Sequence, residues 1–444
     1  MDILMRVVQL IVSLSILVII HELGHFMFAK LFKCRVEKFY LFFDPWFSLF
    51  KKKIGDTEYG VGWLPLGGYV KISGMIDESM DKEQMKQEPK AWEFRSKPAY
   101  QRLLIMLGGV LMNVVGASII YIGISYHYGE TFLANEDAKY GVVATEDAQD
   151  VGFMNGDKIV SIDGKVPYKF FESSSLIILN NAKSVVVDRN GSNVTVDISD
   201  DAHAKLANAG VPLFDMRVKA DFAIADLVKG SAAETAGVEK GDVFVSLDGR
   251  QFEYYDEFKN YVEGHAGKTV SMGLSRNGET KTIDVRVSDE GMLGIQPKLS
   301  GVEDFKFTTV KYSFLESIPN GFILAGNKIS MYVKSLGLLF KPKMNAAKNL
   351  GGFGTLAKMF PTSWDWQIFW NITAFLSVIL AVMNLLPIPG LDGGHVMFVL
   401  YEMITGRKPG DKFMEYAITA GFIFLIALLL FANGNDIYKA ITGK

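Results

Sequence analysis

The sequence predicts a polytopic α-helical membrane protein with a β-hairpin region on the cytoplasmic side and two extracytoplasmic α+β domains. Four apolar stretches each approach the roughly 20 residues that a helix needs to cross a bilayer. Hydrophobic residues make up 49% of the 444 positions and the mean hydropathy is +0.19, which is too apolar for an ordinary soluble enzyme and too polar for an all-membrane transporter. An internal repeat between the apolar stretches indicates tandem soluble domains.

The four predicted transmembrane helices include the N-terminal apolar run. Arg6 precedes 14 mostly apolar residues, as in a secretory signal peptide. No small-residue cleavage pattern follows this run, and we therefore expect it to be retained as the first helix. The helices are predicted within residues 1–29, 103–126, 366–396 and 413–431.

The charges between the first two helices set the predicted orientation. Residues 30–102 contain 14 Lys or Arg residues against 10 Asp or Glu residues, and short loops rich in Lys and Arg stay on the cytoplasmic side. Both chain termini and residues 127–361 would then lie outside. Within residues 306–361, an apolar stretch broken by Lys328 and Lys334 predicts amphipathic helices on the membrane surface or on the core. A membrane crossing here is the alternative, and it would invert the orientation of everything that follows.

The cytoplasmic segment also contains short strand-like runs. Val36 to Phe43, Glu58 to Leu64 and Tyr69 to Ile72 are separated by turn signals such as Pro65-Leu66-Gly67-Gly68, and this pattern predicts β-hairpins. The runs are rich in aromatic residues, which favour the membrane interface. An edge strand here could pair with the unwound backbone of a substrate, or the region could anchor the chain in the lipid headgroups.

A candidate metal site lies in the first predicted helix, where His21, Glu22 and His25 form the sequence H-E-x-x-H. On a helix that turns about 100° per residue, the two histidines lie about 40° apart and Glu22 falls within the same 100° arc. Two imidazoles one turn apart can bind Zn²⁺, and the adjacent carboxylate can take a proton from the metal-bound water. The alternative is a pair of core histidines, but ionisable groups beside a membrane span are costly unless they coordinate or pair. The motif therefore predicts metal-assisted hydrolysis of a peptide bond.

A second motif, at residues 384–395 near the end of the third predicted helix, supplies the remaining candidates. Its prolines stop the helix and its glycines permit a close turn, which leaves Asp392 on irregular backbone at membrane depth. Asp392 is the predicted third zinc ligand, because two histidines and a carboxylate leave one coordination position for water. Asn384 could donate its amide to a developing oxyanion or hydrogen-bond another helix. His395 could compete as a ligand or donate a hydrogen bond to one.

The internal repeat joins residues 152–164 and 237–249, which share seven of thirteen positions at a spacing of 85 residues. An Arg-Asn-Gly sequence follows each copy, and the Gly and Asp residues suit tight turns between strands. The spacing predicts two tandem domains, residues 127–215 and 216–305. They resemble PDZ domains in the permuted form found on bacterial envelope proteases. PDZ grooves bind C-terminal peptides by strand addition, and the alternative here is a steric filter over the active site.

The H-E-L-G-H motif, the later N-x-x-P-x-P-x-L-D-G-G-H motif and the PDZ-like repeats between them together resemble the site-2 protease family of intramembrane metalloproteases. This resemblance covers nearly the whole chain and implies a zinc protease of the bacterial inner membrane, with its PDZ domains in the periplasm. It implies that His21, His25 and Asp392 hold zinc, that Glu22 is the general base and that Asn384 assists. The implied substrates are single-pass membrane proteins of the anti-sigma factor type, and signal-peptide remnants, after an earlier cut has shortened them. We expect the chain to act as a monomer.

Other functions account less well for the sequence. A net charge of −3 and an isoelectric point near 6.1 give no basic excess for binding nucleic acid. The single cysteine, Cys34, excludes an intrachain disulfide and a cysteine-based zinc site. A catalytically inactive PDZ scaffold in the membrane is the main alternative, but it leaves the complete zinc motif unexplained. A proton-relaying transporter does not account for the H-E-x-x-H spacing.

Overall fold

A computed structural model describes residues 2–75, 88–209, 212–341, 343 and 351–442. The chain forms two compact units, the first from residues 1–130, 311–340 and 345–444 and the second from residues 131–310 and 341–344. Parts of four predicted segments lie outside the described residues. They are residue 1 of the first helix, 76–87 of the cytoplasmic region, 210–211 of the first predicted PDZ domain, and 342 and 344–350 of the amphipathic segment.

The first unit begins with a single long helix, α1 (Asp2–Leu31), whose terminal Asp2 and Lys30 complement the helix dipole. In the described ranges 2–75 and 88–209, four strands and a second long helix follow this helix. They are β1 (Val36–Phe43), β2 (Phe50–Ile54), β3 (Thr57–Val61), β4 (Leu64–Ile72) and α2 (Ala99–His127).

The four strands form one sheet in the order β2-β3-β1-β4, in which β1 is parallel to β3 and antiparallel to β4. Only β2 and β3 form a hairpin between consecutive strands, so the predicted hairpin pattern is partly wrong. The turn predicted at residues 65–68 is also wrong, because β4 runs through it. β4 is an edge strand, where Pro65 can be accommodated without a backbone N–H, and a register shift between Leu41 and Phe43 absorbs the irregularity.

The second unit contains two successive sets of strands and short helices. The first set is β5 (Glu130–Leu133), β6 (Val142–Ala144), α3 (Glu146–Val151), β7 (Lys158–Ile162), α4 (Ser173–Leu179), β8 (Ser184–Arg189), β9 (Ser192–Asp197), α5 (Asp200–Asn208) and β10 (Phe214–Met216). The second set is β11 (Phe222–Leu227), α6 (Ala232–Ala236), β12 (Val243–Leu247), α7 (Tyr255–Glu263), β13 (Thr269–Arg276), β14 (Glu279–Arg286), β15 (Ile295–Leu299) and β16 (Phe307–Val310).

The two sets follow the same order of elements from β6 to β10 and from β11 to β15, apart from α5. In the second set the strands form one sheet in the order β14-β13-β12-β11-β15. In the first set the corresponding strands form two smaller sheets, β7-β8-β9 and β10-β6. Each set surrounds its own hydrophobic core. The sequence repeat therefore corresponds to a structural repeat.

A buried ion pair explains the residues that recur in the repeat. In the first copy Arg189 donates from Nε and Nη2 to the two carboxylate oxygens of Asp157, at 2.8 Å each. In the second copy Arg276 makes the same two bonds to Asp242 at 2.7 Å. Each arginine also donates to a glycine carbonyl, that of Gly152 or its counterpart 85 residues later. These bonds hold the pKa of Asp242 below its usual value.

Among the residues that the structure describes, the first unit continues after the second with five helices. They are α8 (Phe314–Leu338), α9 (Phe353–Met359), α10 (Trp366–Leu385), α11 (Asp392–Thr405) and α12 (Asp411–Thr442). Among the described residues, α1, α2, α10 and α12 are the four helices long and apolar enough to cross a membrane. α8 packs on α2, where Gly321 lies against the backbone of Ile122 and Asn320 donates to Ser125 Oγ at 2.9 Å.

Helices α1, α2 and α10 are held together by buried polar side chains as well as by apolar packing. Thr373 of α10 donates to Ser13 of α1 at 2.9 Å, and Ser377 donates to the backbone carbonyl of Asn113 in α2 at 2.8 Å. These side chains are fully buried. Hydrogen bonds of this kind fix the register of neighbouring helices in a membrane, and here they fix it next to His21.

Candidate metal centre

The close approach of α1 to α2 positions the two histidines of the H-E-x-x-H motif. A Cβ atom at Gly24 would overlap the carbonyl of Gly108 and lie 2.8 Å from the backbone nitrogen of Gly109. Only glycine permits this backbone contact. The face of α1 that carries His21 and His25 is therefore pressed against α2, and the two Nε2 atoms lie 3.2 Å apart.

A short loop brings Asp392 to the same point from the other end of the sequence. α10 ends at Leu385, a loop with Gly390 at φ +100° follows, and Asp392 is the first residue of α11. The expectation of irregular backbone thus holds for the loop, whereas Asp392 itself begins a helix. Asp392 Oδ2 lies 3.2 Å from Nε2 of His21 and 3.4 Å from Nε2 of His25.

These three side chains fit a zinc ion by donor type and by spacing. Zinc bonds to nitrogen and oxygen of about 2.0–2.1 Å place tetrahedral ligand atoms about 3.3–3.4 Å apart. The three separations here are 3.2, 3.2 and 3.4 Å. Asp392 Oδ2 is buried and has no hydrogen-bond partner, as expected for an atom that is directed at a cation. Within the described part of the chain, no other group of three such side chains could hold a metal, and His395 does not belong to this one.

Backbone and side-chain atoms of α2 face the other ring nitrogen of each histidine. His25 Nδ1 lies 2.8 Å from the carbonyl of Ile105, which can only accept, so this nitrogen carries the ring hydrogen and Nε2 is free to coordinate. His21 Nδ1 lies 3.1 Å from the side-chain amide of Asn113. Sequence reasoning did not identify either partner, although a lone asparagine inside an apolar span is a usable signal.

Glu22 and Asn384 lie in the same cavity as the three predicted ligands, and its volume is about 790 Å³. Glu22 faces strand β4, since a Cβ atom added at Gly68 would lie 3.6 Å from its Cγ. Asn384 Nδ2 lies 3.3 Å from His21 Nε2, so its amide is close to the centre of the cluster. All six residues singled out from the sequence, His395 among them, therefore line one cavity.

Strand β4 contributes the wall opposite the helices. The cavity is lined by residues of this strand, including Gly68, Tyr69 and Lys71. Tyr69 donates a hydrogen bond to Asp44 at 2.8 Å, and burial together with this bond raises the pKa of the phenol. Tyr69 thus remains a neutral donor over the physiological pH range.

The four apolar helices and the cluster of two imidazoles and a carboxylate define a membrane-integral metalloprotease. The sequence profile of peptidase family M50 matches residues 9–428, and the chain belongs to this family. A regulator of sigma E protease from Haemophilus influenzae is 28% identical over 97% of this chain and 98% of its own length. A candidate zinc metalloprotease from Neisseria meningitidis is 29% identical over the same shares of the two chains. Another, from Clostridium perfringens, is 27% identical over 98% of each chain.

Family membership confirms two predictions made from the motifs. The chain is a site-2 protease of family M50, and its cofactor is zinc.

Proposed function

We propose that this protein is an intramembrane zinc endopeptidase that cleaves single-pass membrane proteins of the anti-sigma factor type. The observation that carries the proposal is the convergence of His21, His25 and Asp392 within one cavity at the junction of three membrane helices. Their ligand atoms all lie within 4.8 Å of one another. Signal-peptide remnants, which are also short membrane-embedded helices, are a second substrate of the same chemical kind.

In the proposed site His21, His25 and Asp392 hold zinc, and the other two residues of the cavity act on the substrate. When bound, zinc would act as a Lewis acid that lowers the pKa of water and polarises a peptide carbonyl. The Glu22 carboxylate takes a proton from the attacking water and delivers it to the leaving amine. The Asn384 amide donates a hydrogen bond to the oxygen of the scissile carbonyl, where negative charge develops, a contribution of about 3 kcal/mol in comparable sites.

Strand β4 is suited to hold the substrate next to these groups. It lies at the edge of its sheet next to β1, and no strand of the described residues pairs with its other edge. A substrate helix must unwind before its backbone can reach the cluster. We propose that the unwound segment adds to β4 as a further strand, which satisfies its backbone groups next to the metal centre.

The proposed orientation places residues 30–102 in the cytoplasm and the second unit in the periplasm of a bacterial inner membrane. The Lys and Arg excess of residues 30–102 supports it. The shared element order and the repeated Arg–Asp pair support two PDZ domains in the second unit. These domains bind the C-terminus of a trimmed substrate or exclude untrimmed ones. α8 exposes Phe322 and Ile323, and this supports a position on the membrane surface.

Two variants of the full-length protein test the proposal against a purified single-pass substrate whose extracytoplasmic part has been removed. Glu22→Gln should retain zinc and lose cleavage by at least about 100-fold, because it removes only the proton acceptor. Asp392→Asn should lose zinc and cleavage together, because a coordinating carboxylate becomes a neutral amide. Wild-type turnover by Glu22→Gln would reject the assigned base, and full zinc content in Asp392→Asn would reject the assigned ligand.

A further inference from the structure

Asn113 lies at the ring nitrogen of His21 that points away from Asp392. The residue belongs to α2, is fully buried, and its Nδ2 is 3.1 Å from His21 Nδ1. The opposite ring nitrogen, Nε2, is the one that faces Asp392 at 3.2 Å. Asn113 therefore contacts a proposed ligand without contacting the space that the metal would fill.

The hydrogen on the His21 ring decides which end of the Asn113 amide must face it. An imidazole that coordinates through Nε2 carries its hydrogen on Nδ1, and that hydrogen needs an acceptor. The carbonyl of Ile105 provides one for His25. For His21 the corresponding acceptor is the amide oxygen Oδ1 of Asn113, which reaches Nδ1 when the carboxamide turns by 180° and its two ends exchange places.

One observation supports this exchange, and a second shows that the position of the residue is fixed. Asn113 Oδ1 is buried and has no hydrogen-bond partner in the orientation that points Nδ2 at His21. A buried carbonyl oxygen without a donor costs about 1–3 kcal/mol, and the Nδ1 hydrogen of a coordinating His21 would satisfy it. In addition, Ser377 donates to the backbone carbonyl of Asn113 at 2.8 Å, which fixes the residue between α1 and α10.

We propose that Asn113 is a positioning residue that selects the zinc-binding tautomer of His21 and fixes the orientation of its ring. This inference rests on the metal site proposed above. A purely structural asparagine would join α2 to α1, and an interhelical hydrogen bond in a membrane contributes only about 0.6 kcal/mol. A partner of a metal-binding histidine has a larger effect on the metal, typically 10- to 100-fold in affinity.

The test compares three variants of the full-length protein in detergent by the zinc dissociation constant, measured in competition with a chelator. Asn113→Leu keeps the approximate volume and removes the acceptor, and zinc should bind about 10- to 100-fold more weakly. Asn113→Asp keeps an acceptor, and zinc should bind within a few-fold of wild type. Ser118→Ala is the matched control, because Ser118 is also buried in α2 but donates only to the carbonyl of Val114. It should bind zinc as wild type does.

Two further measurements separate positioning from simple packing. The melting temperature of the metal-free Asn113→Leu variant should equal or exceed that of metal-free wild type, because an apolar side chain replaces a polar one within the membrane. In metal-free protein labelled with ¹⁵N-histidine, wild type and Asn113→Asp should show His21 with its hydrogen on Nδ1. Asn113→Leu should lose that signature. Asn113→Ala, which adds no bulk, provides the same comparison where the leucine variant does not fold.

The outcomes distinguish this inference from the proposed function. Zinc binding by Asn113→Leu and Asn113→Ala that equals wild type would overturn the inference alone. An equal loss in Asn113→Asp and Asn113→Leu would also overturn it, because the acceptor would then be irrelevant. A wild-type protein whose zinc binding is insensitive to Asp392→Asn would overturn the metal site, and the role of Asn113 with it.

Discussion

A single methyl group at position 109 should disable the metal site without unfolding the protein. Gly109 lies on α2 directly opposite the two histidines of α1. A Cβ atom at this position would be 2.5 Å from His21 Cε1 and 2.5 Å from His25 Nε2. Moving α2 away from α1 would break the close packing of Gly24 against Gly108, where the two backbones are in contact. The imidazoles must therefore move.

The size of the movement sets the expected loss. Atoms that are not bonded prefer to be about 3.5–4.0 Å apart, so each ring must shift by about 1 Å. Metal sites tolerate errors of about 0.2 Å in their ligand distances. We expect Gly109→Ala to weaken zinc binding by at least about 10- to 100-fold, the range seen when ligand orientation is disturbed. Stability should change little, because the displaced atoms are side-chain ends and alanine favours a helix over glycine by about 1 kcal/mol.

The assay is chelator competition for zinc, with the melting temperature of the metal-free protein measured in parallel. Gly123→Ala is the matched control, because Gly123 lies on the same helix and a Cβ atom there would have no neighbour within 4 Å. The control should bind zinc normally. If Gly109→Ala bound zinc as tightly as the control, the placement of the two imidazoles against α2 would be wrong.

Two further predictions concern the loop before Asp392 and the repeated ion pair. Gly421→Ala should reduce zinc binding and destabilise the protein, because its Cβ would overlap the backbone carbonyl of Pro389. The control is Gly434→Ala on the same helix, whose Cβ would have no neighbour within 4 Å. This control should change neither zinc binding in the chelator competition nor the melting temperature. Asp242→Asn should destabilise β13 by about 2–3 kcal/mol, the value of hydrogen bonds to a charged group, as measured by hydrogen exchange corrected for intrinsic rates. Arg276 lowers the pKa of Asp242 in the folded state. The stability that the ion pair contributes is therefore present above the unfolded pKa of about 3.9 and is lost as the pH falls through the lower folded pKa. Asp242→Asn should show no such loss.

The sequence predicted the membrane helices well because long apolar runs leave few other structures for the chain. Their ends were less predictable. The last helix extends to Thr442, well past the predicted residue 431, and its added turns carry Asn433 and Asp436, which accept hydrogen bonds from backbone amides near α9. Such contacts depend on tertiary structure, and the mean hydropathy of a sequence segment cannot reveal them.

The sheet of the first unit shows where local patterns fail. Residues 65–68 have the composition of a turn, yet they form part of β4. Composition describes local backbone preference, but the pairing of β1 with both β3 and β4 is non-local and overrides it. The repeat in the second unit was easier to find, because two copies of one motif can be detected by comparing the sequence with itself.

The site was predictable where the sequence spacing of the residues alone brings their side chains together. His21, Glu22 and His25 share one helical face by arithmetic, and the motif around Asp392 marks a break in a membrane helix. Asn113 and Gly109 were not predictable in the same way, because their importance comes from facing α1 across a helix interface. A polar or small residue in an apolar span has many structural uses, and only the neighbouring helix distinguishes them.

The most direct test of the central claim is an anomalous diffraction map from crystals of the zinc-loaded full-length protein, recorded at the zinc absorption edge. The account predicts one strong peak within about 2.0–2.2 Å of His21 Nε2, His25 Nε2 and an oxygen of Asp392. A zinc peak bound by other residues, with Asp392 remote from both imidazoles, would contradict it.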